Sequence, residues 1–355
     1  MGLDVTGKFR YPDPDPDWLA QLVEPIIDPP LPIIDAHHHL WEEPGKRYLV
    51  DDLLADLGTG HAINATVFAQ CHYGYRNAGP EHLRPVGETE RVAALATECT
   101  SASADVCAGI IAFADLLDET HLEELLDAHA TAAQSRLCGI RQSVARDDLF
   151  PDGVVLRPAP RGMLSDIRFR RSLRRIARRG LAFDAMVYHA QLPELAALAA
   201  AIGEATIVLD HIGCILGVGP YRGRERETYE IWRRDISALS ALPNVYVKFG
   251  GLGMIVTGAV YHQARLPPTS SRLAHDWKPY FEACIEYFGP KRLMFESNFP
   301  VDKAMMSYPV LWNAYKRLAA TATVTQKNDM FSDTAARVYR LTSTSRTDSA
   351  NSRRR

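Results

Sequence analysis

Eight short apolar segments that alternate with helical patterns constrain the fold of this chain more than any other feature. The segments that we predict to be strands are residues 33–36, 65–71, 106–112, 137–143, 181–187, 206–210, 245–249 and 293–297. The helical patterns between and after them are residues 88–99, 119–132, 168–179, 192–201, 227–239, 277–288 and 310–320. Apolar strands separated by helices are typical of a parallel sheet that is covered on both faces. Eight such units predict an α/β protein with a closed (β/α)8 TIM barrel.

A single barrel also suits the length and composition of the chain. The chain has 355 residues, of which 46% are hydrophobic, and no low-complexity linker divides it. We therefore predict one barrel domain over residues 33–342. Residues 1–32 are predicted to form an extension that packs on the barrel. The serine- and arginine-rich residues 343–355 are predicted to form a disordered tail.

Charge and cysteine content narrow the class of function. The formal net charge is −3, from 40 basic and 43 acidic residues, so no overall field attracts nucleic acid or an anionic membrane. The chain has no apolar run long enough to span a bilayer and no signal-peptide pattern. Six cysteines are scattered without CxxC spacing, which favours reduced thiols. We expect a cytoplasmic protein that acts on a small molecule.

Two histidines lie at the carboxyl end of the first predicted strand. His37 and His39 are two residues apart, so a strand directs both imidazoles to one face and His38 to the other. In a barrel, this end of the strands is the face on which active sites are built. The pair can therefore converge on a divalent metal ion, although an HxH motif also fits a strand end with solvated histidines.

Polar residues follow most of the other predicted strands. In strand order they are His72, Arg141 and Gln142, His189, Asp210 and His211, Lys248, and Ser297 and Asn298. A cluster of neutral imidazoles on one face binds ions such as Zn²⁺. Taken singly, His189 and His211 are equally compatible with structural histidines. Long loops at residues 73–87 and 250–274 follow the same strand ends, and we expect them to form pocket walls.

Several motifs together resemble the amidohydrolase superfamily, in its amidohydrolase-related branch (amidohydrolase 2), which includes sugar and pyrone-dicarboxylate lactonases and related decarboxylases. The motifs are DAHHHLW at 35–41, GIR at 139–141, LDHIG at 209–213, VK at 247–248 and SNFPV at 297–301. In metal-dependent relatives the HxH pair and a strand-five histidine hold one divalent ion, so the resemblance implies His37, His39 and His189 as metal ligands. It also implies that the strand-six histidine, here His211, polarises the substrate or moves protons.

One position departs from the family pattern. The strand-eight aspartate that binds metal and acts as the general base in the family corresponds to Asn298. A carboxamide cannot take a proton from water near neutral pH, and it is a weaker ligand than a carboxylate. We therefore assign catalysis to His211, to Asn298 as a positioning group, and to Asp302 as a base that reaches back from four residues further on. A surface or helix-capping role for Asp302 is equally compatible, and strand alternation predicts that Glu296 points outward. The cofactor is then either one divalent ion, Zn or Mn, or none.

The remaining polar and aromatic residues suggest the substrate. Arg141 offers a rigid fork and Lys248 a compact cation, which predicts an anionic or oxyanion-developing substrate. Either cation can instead anchor a loop or neutralise a buried acid. His72, Trp41 and Tyr73 are predicted to contact the substrate, although aromatic residues at a barrel rim also serve packing.

These features predict a hydrolase that opens a cyclic ester, or a related carbonyl compound, by attack of water at the carboxyl end of the barrel. Two alternatives stay open. One is a metal-dependent, non-oxidative decarboxylase of aromatic or unsaturated acids, which needs a proton donor at carbon. The other is a barrel that has lost catalysis and only binds a ligand or a protein. Assembly into a homo-oligomer is compatible with each of them.

Overall fold

The structure is a computed structural model, and it describes residues 11–43, 46–99, 103–149 and 158–341. The predicted disordered tail, residues 343–355, lies outside the described residues, as do residues 1–10 of the predicted N-terminal extension.

Eight parallel strands form one sheet that closes on itself. The sheet order is β1-β4-β5-β6-β7-β8-β9-β10, and a parallel bridge between His38 and Phe299 joins its two ends. The bounds are β1 Ile33–His38, β4 Ile63–Ala69, β5 Asp105–Ala112, β6 Leu137–Ser143, β7 Ala182–Met186, β8 Ile207–Leu209, β9 Val245–Phe249 and β10 Leu293–Phe295. A separate antiparallel hairpin, β2 Trp41–Glu43 and β3 Lys46–Tyr48, follows β1. The predicted (β/α)8 barrel is therefore confirmed.

Helices cover the outside of the barrel. Their bounds are α1 Pro16–Leu19, α2 Val50–Leu57, α3 Val86–Glu98, α4 Leu122–Ala133, α5 Ile167–Arg178, α6 Leu192–Ala201, α7 Glu225–Ser240, α8 Ser270–Phe288, α9 Tyr308–Leu318, α10 Val324–Asn328 and α11 Thr334–Val338. All seven predicted helices are present: α6 has the predicted bounds, and the other six differ from prediction at one or both ends. The prediction did not include α1, α2, α10, α11 or the hairpin. The spacing of Val50, Leu53 and Leu57 is helical, so α2 could have been found. None of the helices in the described part of the chain has the length and apolar character that crossing a membrane requires.

The last strand is shorter than predicted, and this changes the site. β10 ends at Phe295 rather than at residue 297. The Ser297 amide donates a 2.8 Å hydrogen bond to the Asp35 carboxylate instead of continuing the ladder. Asn298 then donates from its backbone to the His37 carbonyl at 2.9 Å. Residues 296–298 are thereby held against the end of β1.

The chain after β8 adopts a left-handed backbone. His211, Ile212, Gly213 and Cys214 have φ values of 53°, 49°, 81° and 36°, a region that is unfavourable for a β-branched residue such as isoleucine. The indole of Trp232, on α7, is fully buried and donates a 2.8 Å hydrogen bond to the Ile212 carbonyl. Helix α7 therefore stabilises the segment that carries His211.

We expect Trp232→Phe to lower the free energy of unfolding by about 1–3 kcal/mol, because the buried Ile212 carbonyl loses its donor. Urea denaturation followed by circular dichroism measures this change. A matched control is Trp277→Phe, on α8, whose indole is also buried and packs on Tyr315, on α9. An unchanged unfolding curve for Trp232→Phe would show that the hydrogen bond does not stabilise this turn.

Candidate active site

The two histidines after β1 converge as predicted from their spacing. Nε2 of His37 lies 3.1 Å from Nε2 of His39, and Nδ1 of His39 contacts the Ala69 carbonyl oxygen at 2.8 Å. His38 turns away, and its Nε2 lies 2.9 Å from the Thr66 hydroxyl. All three imidazoles are buried. The solvated strand end that we left open is therefore wrong.

Lys248 lies beneath the histidines with no exposed surface. Its ammonium is 2.5 Å from Asp184 Oδ2, 3.2 Å from Asp210 Oδ1 and 3.1 Å from His37 Nδ1. Both carboxylates raise the pKa of Lys248 against the opposing effect of burial. We correct its predicted role in substrate binding, because a side chain enclosed by these groups neutralises buried acids instead of meeting a ligand.

Arg141 is held by the same acidic group but reaches closer to the surface. Its Nε donates to Asp210 Oδ2 at 2.8 Å, and Nη1 donates to the Gln70 carbonyl at 3.0 Å. Burial alone would raise the pKa of Asp210, but Lys248, His37 and Arg141 outweigh it, so this pKa is well below its usual range. The guanidinium is therefore oriented and charged at the rim of the histidine cluster.

Burial keeps His37 and His39 neutral. It is the largest cause that lowers the pKa of His37 and of His39, and the positive charges of Lys248 and Arg141 lower these values further. Neutral imidazoles have a lone pair for a metal ion or a proton. His37 and His39 are therefore neutral, as a metal ligand must be.

Glu296 points into the site, and our expectation that it points outward is wrong. Its Oε1 lies 2.7 Å from His211 Nδ1 and accepts a 3.2 Å hydrogen bond from the His211 amide. Its Oε2 lies 3.2 Å from His37 Nδ1. Glu296 is two residues before Asn298, so alternation along the predicted strand 293–297 could have placed this carboxylate on the same side as residue 298.

Two glycines after β9 make room for this pair. A Cβ on Gly250 would collide with the Glu296 side chain, and a Cβ on Gly251 would lie 2.7 Å from His211. Burial lowers the pKa of His211, but the Glu296 carboxylate outweighs it, and the net shift is upward. The glycine backbone after β9 therefore leaves the space that the His211–Glu296 pair occupies.

The structure brings Asp302 to the same site. Its Oδ1 accepts from the Asn298 carboxamide at 3.2 Å, and its Oδ2 accepts from the Gly253 amide at 3.2 Å. Burial raises the pKa of Asp302 to about 7, although the nearby His211 charge lowers it. The surface role that we left open for Asp302 is wrong, since the side chain is buried. Its role as a base stays a prediction.

His189 does not join the cluster. Its Nδ1 accepts a 3.3 Å hydrogen bond from the Leu216 amide, and its ring packs on Tyr221 with 4.9 Å between centroids. Among the described residues, the histidines, cysteines and carboxylates that could hold a metal ion together are His37, His211 and Glu296, with donor atoms within 4.8 Å of one another. We therefore correct the implied ligand His189, because its ring is engaged away from these atoms.

The chemistry of this group fits a divalent ion. Imidazole nitrogens and a carboxylate oxygen are donors for zinc, and Glu296 Oε2 makes no hydrogen bond within the described part of the chain. The close His37–His39 contact provides a further nitrogen beside the group. The site therefore offers a carboxylate that Asn298 cannot supply.

Trp41, His72 and Tyr73, the other residues predicted to contact the substrate, lie in three different places. Trp41 stacks on His39, with 6.0 Å between ring centroids, so it borders the cluster. His72 packs on Tyr75 and Phe113, which also line a cavity of about 710 Å³ between the loops after β4 and β5. Tyr73 is buried and its hydroxyl accepts from Arg91, on α3. We correct its predicted substrate contact, because its phenol points to the helix layer.

We expect Gly250→Ala to destabilise the protein by about 1–3 kcal/mol, because the added methyl must displace Glu296 in a packed core. Gly203→Ala is the matched control, since a Cβ there meets no atom within 4 Å, and its effect should stay within about 0.5 kcal/mol. Thermal and urea unfolding measure both variants. Equal stability of the two would contradict the close packing of Gly250 on Glu296.

The raised pKa of Asp302 predicts how stability depends on pH. Because the folded-state pKa of about 7 lies above the usual value of a free aspartate, about 3.9, the folded state holds this proton more tightly. The resulting stabilisation is complete below about pH 4 and is lost as the pH rises through about 7. In this window the unfolding free energy of Asp302→Asn should fall less steeply, by up to about 1.4 kcal/mol per pH unit. Parallel pH profiles of the variant and the unsubstituted protein would contradict the shift.

Comparisons with known proteins identify the family of this chain. Residues 34–341 match the family model described as Amidohydrolase. The uncharacterized protein y4mH of Sinorhizobium fredii is 30% identical over 331 residues, which cover 87% of this chain and 98% of that protein. The L-fucono-1,5-lactonase of Burkholderia multivorans is 26% identical over 312 residues, which cover 87% and 96% of the two chains. A crystal structure of a B. multivorans amidohydrolase with bound zinc has a TM-score of 0.67 at 26% identity and covers 87% of this chain and 99% of that chain. The chain is therefore a member of the amidohydrolase family.

Proposed function

We propose that this protein hydrolyses an uncharged lactone and that His211 and Glu296 are its acid–base pair. The observation that carries the proposal is the 2.7 Å contact between His211 Nδ1 and Glu296 Oε1 at the carboxyl end of the barrel. Similarity to an L-fucono-1,5-lactonase over most of both chains supports the class of substrate.

The contact with Glu296 leaves the other ring nitrogen of His211 for chemistry. Within the described residues, Nε2 of His211 has no hydrogen-bond partner, whereas Nδ1 is bound to the carboxylate. Neutral His211 can take a proton from water at Nε2 as the water oxygen attacks the lactone carbonyl, and Glu296 stabilises the imidazolium that forms. His211 then gives the proton to the ring oxygen when the acyl C–O bond breaks, and a hydroxy acid is released. The raised pKa of His211 makes its imidazole a stronger base.

Two further groups complete the proposed site. Arg141 has a guanidinium at the rim, which we propose stabilises the oxyanion that develops on the carbonyl oxygen. An ion held by His37 and by Glu296 Oε2, with His39 alongside, would supply Lewis-acid polarisation of a carbonyl and would leave His211 to proton transfer. Asn298 is proposed to hold Asp302 through their 3.2 Å hydrogen bond.

The charges in the chamber favour an uncharged substrate. Arg141 is paired with Asp210, and Lys248 with Asp184 and Asp210. Glu296 and Asp302 add two acids to the same site. A dicarboxylate would bring two negative charges to a site that already holds the acids Glu296 and Asp302, whereas a neutral lactone develops a single negative charge, the oxyanion beside Arg141. We therefore revise the predicted anionic substrate to a neutral lactone.

A panel of lactones tests the reaction. We expect the enzyme to open neutral sugar 1,4- or 1,5-lactones faster than 2-pyrone-4,6-dicarboxylate, measured as acid release with a pH indicator. His211→Asn should lower kcat by about 100-fold or more, and Glu296→Gln by about 10- to 100-fold, because proton transfer is lost or weakened. His121→Asn is a matched control, since His121 forms a similar 2.7 Å contact with Asp118 on the surface, and it should keep full activity.

The same panel separates the other candidates. Release of CO₂ from arylcarboxylates without opening of any lactone would overturn the hydrolase proposal. If Asp302→Asn abolishes lactone opening while Glu296→Gln keeps it, the base is Asp302 and our acid–base pair is wrong. Elemental analysis, together with activity before and after chelation, tests whether zinc or manganese is needed. We expect His37→Ala to lose any metal that copurifies with the enzyme.

A further inference from the structure

A segment that precedes the barrel crosses its catalytic end. We call residues 11–19 the N-terminal strap; they lie outside the part that matches the amidohydrolase family, which begins at residue 34. At one end of the strap, Lys46 donates a 3.4 Å hydrogen bond to the Tyr11 carbonyl and lies 3.5 Å from the Asp13 carboxylate. At the other end, the Trp18 indole donates a 3.0 Å hydrogen bond to the Ala264 carbonyl. The strap therefore joins the β2–β3 hairpin to the long loop after β9.

Tyr11 is the residue of the strap that reaches inward. Its ring packs against the large hydrophobic core cluster. Burial raises the pKa of its phenol, and the nearby Cys214 and Asp302 raise it further. Lys46, which holds the Tyr11 carbonyl, lies in the hairpin that follows β1, and Ala264, which holds Trp18, lies in the loop that follows β9. Tyr11 therefore packs inward from a segment that spans the ends of these two strands.

This position is next to the proposed chemistry. Asp302 is bound to Asn298 and Gly253, and the His211 charge acts on it. A phenol provides a hydroxyl that donates and accepts hydrogen bonds and an apolar ring face. A polyhydroxylated lactone ring presents hydroxyls and C–H faces, which are complementary to such a side chain.

We propose that Tyr11 is a specificity-determining residue, which the N-terminal strap places at the wall of the active site to bind a hydroxyl group of a polyhydroxylated lactone. This assignment rests on the proposed lactonase function and adds a substrate contact from outside the family domain. The strap is then part of the active site and not only a covering of the barrel.

Kinetics with matched substrates test the assignment. The probes are a panel of sugar 1,5-lactones and δ-valerolactone, which has the same ring without hydroxyl groups. For the best sugar lactone, Tyr11→Phe should raise KM about 5- to 10-fold, as expected for one lost hydrogen bond, and leave kcat within about 2-fold. The KM for δ-valerolactone should not change. Trp18→Phe, which loses the anchor to Ala264, should raise the KM for the sugar lactone in the same direction.

Tyr287→Phe is the control, because Tyr287 lies near the end of α8 and contacts Arg233. It should leave both substrates unaffected. If Tyr11→Phe and Tyr11→Ala keep the unsubstituted enzyme's KM for every lactone that this enzyme opens, the assignment is overturned and Tyr11 only packs. An equal rise of KM for sugar lactone and δ-valerolactone also overturns it, because the effect would not depend on hydroxyl groups. If the unsubstituted enzyme opens no lactone at all, the proposed function itself is wrong, and this assignment with it.

Discussion

The buried ammonium of Lys248 is the interaction on which the rest of the site depends. Its three contacts, with Asp184, Asp210 and His37, lie inside the barrel without exposed surface. Isolated charges are costly to bury, and a network of this kind is stable only when each charge has a partner. Asp210 in turn orients Arg141. Lys248 therefore neutralises Asp184 and Asp210, so that both carboxylates can be buried beside His37.

A second constraint is the close approach of the chain around the carboxylate of Glu296. The resemblance to the family implies an aspartate at the strand-eight position that is Asn298 here, but Glu296 brings an acid to the same chamber from two residues earlier. The approach of Gly250 leaves space for this side chain, and the Tyr315 hydroxyl holds the Glu296 carbonyl at 3.0 Å. The site thus keeps a carboxylate beside its histidines, although at a different position of the chain, and this is why the loss of aspartate at residue 298 need not abolish proton transfer.

Sequence reasoning was most reliable where a pattern repeats. Each of the eight strands alternates with a helix, so errors of two residues at the ends of β4 or β10 did not alter the predicted barrel. Single side chains were harder to place. His189 follows β7 in sequence, but its ring packs on Tyr221, and Lys248 is at the end of β9 but lies in the interior. Position at a strand end does not determine whether a side chain points to the chamber, the core or the helix layer.

The sequence by itself determined the barrel, its catalytic end and the His37-x-His39 pair, because strand periodicity and the order of elements are local properties. The tertiary structure decided which groups act together. Glu296 meets His211 across two strand ends, the glycines of the β9 loop provide the space, and Tyr11 arrives from a segment before the barrel. These contacts join residues far apart in the chain, and their distances and charges arise only when the barrel closes and its loops pack over the mouth.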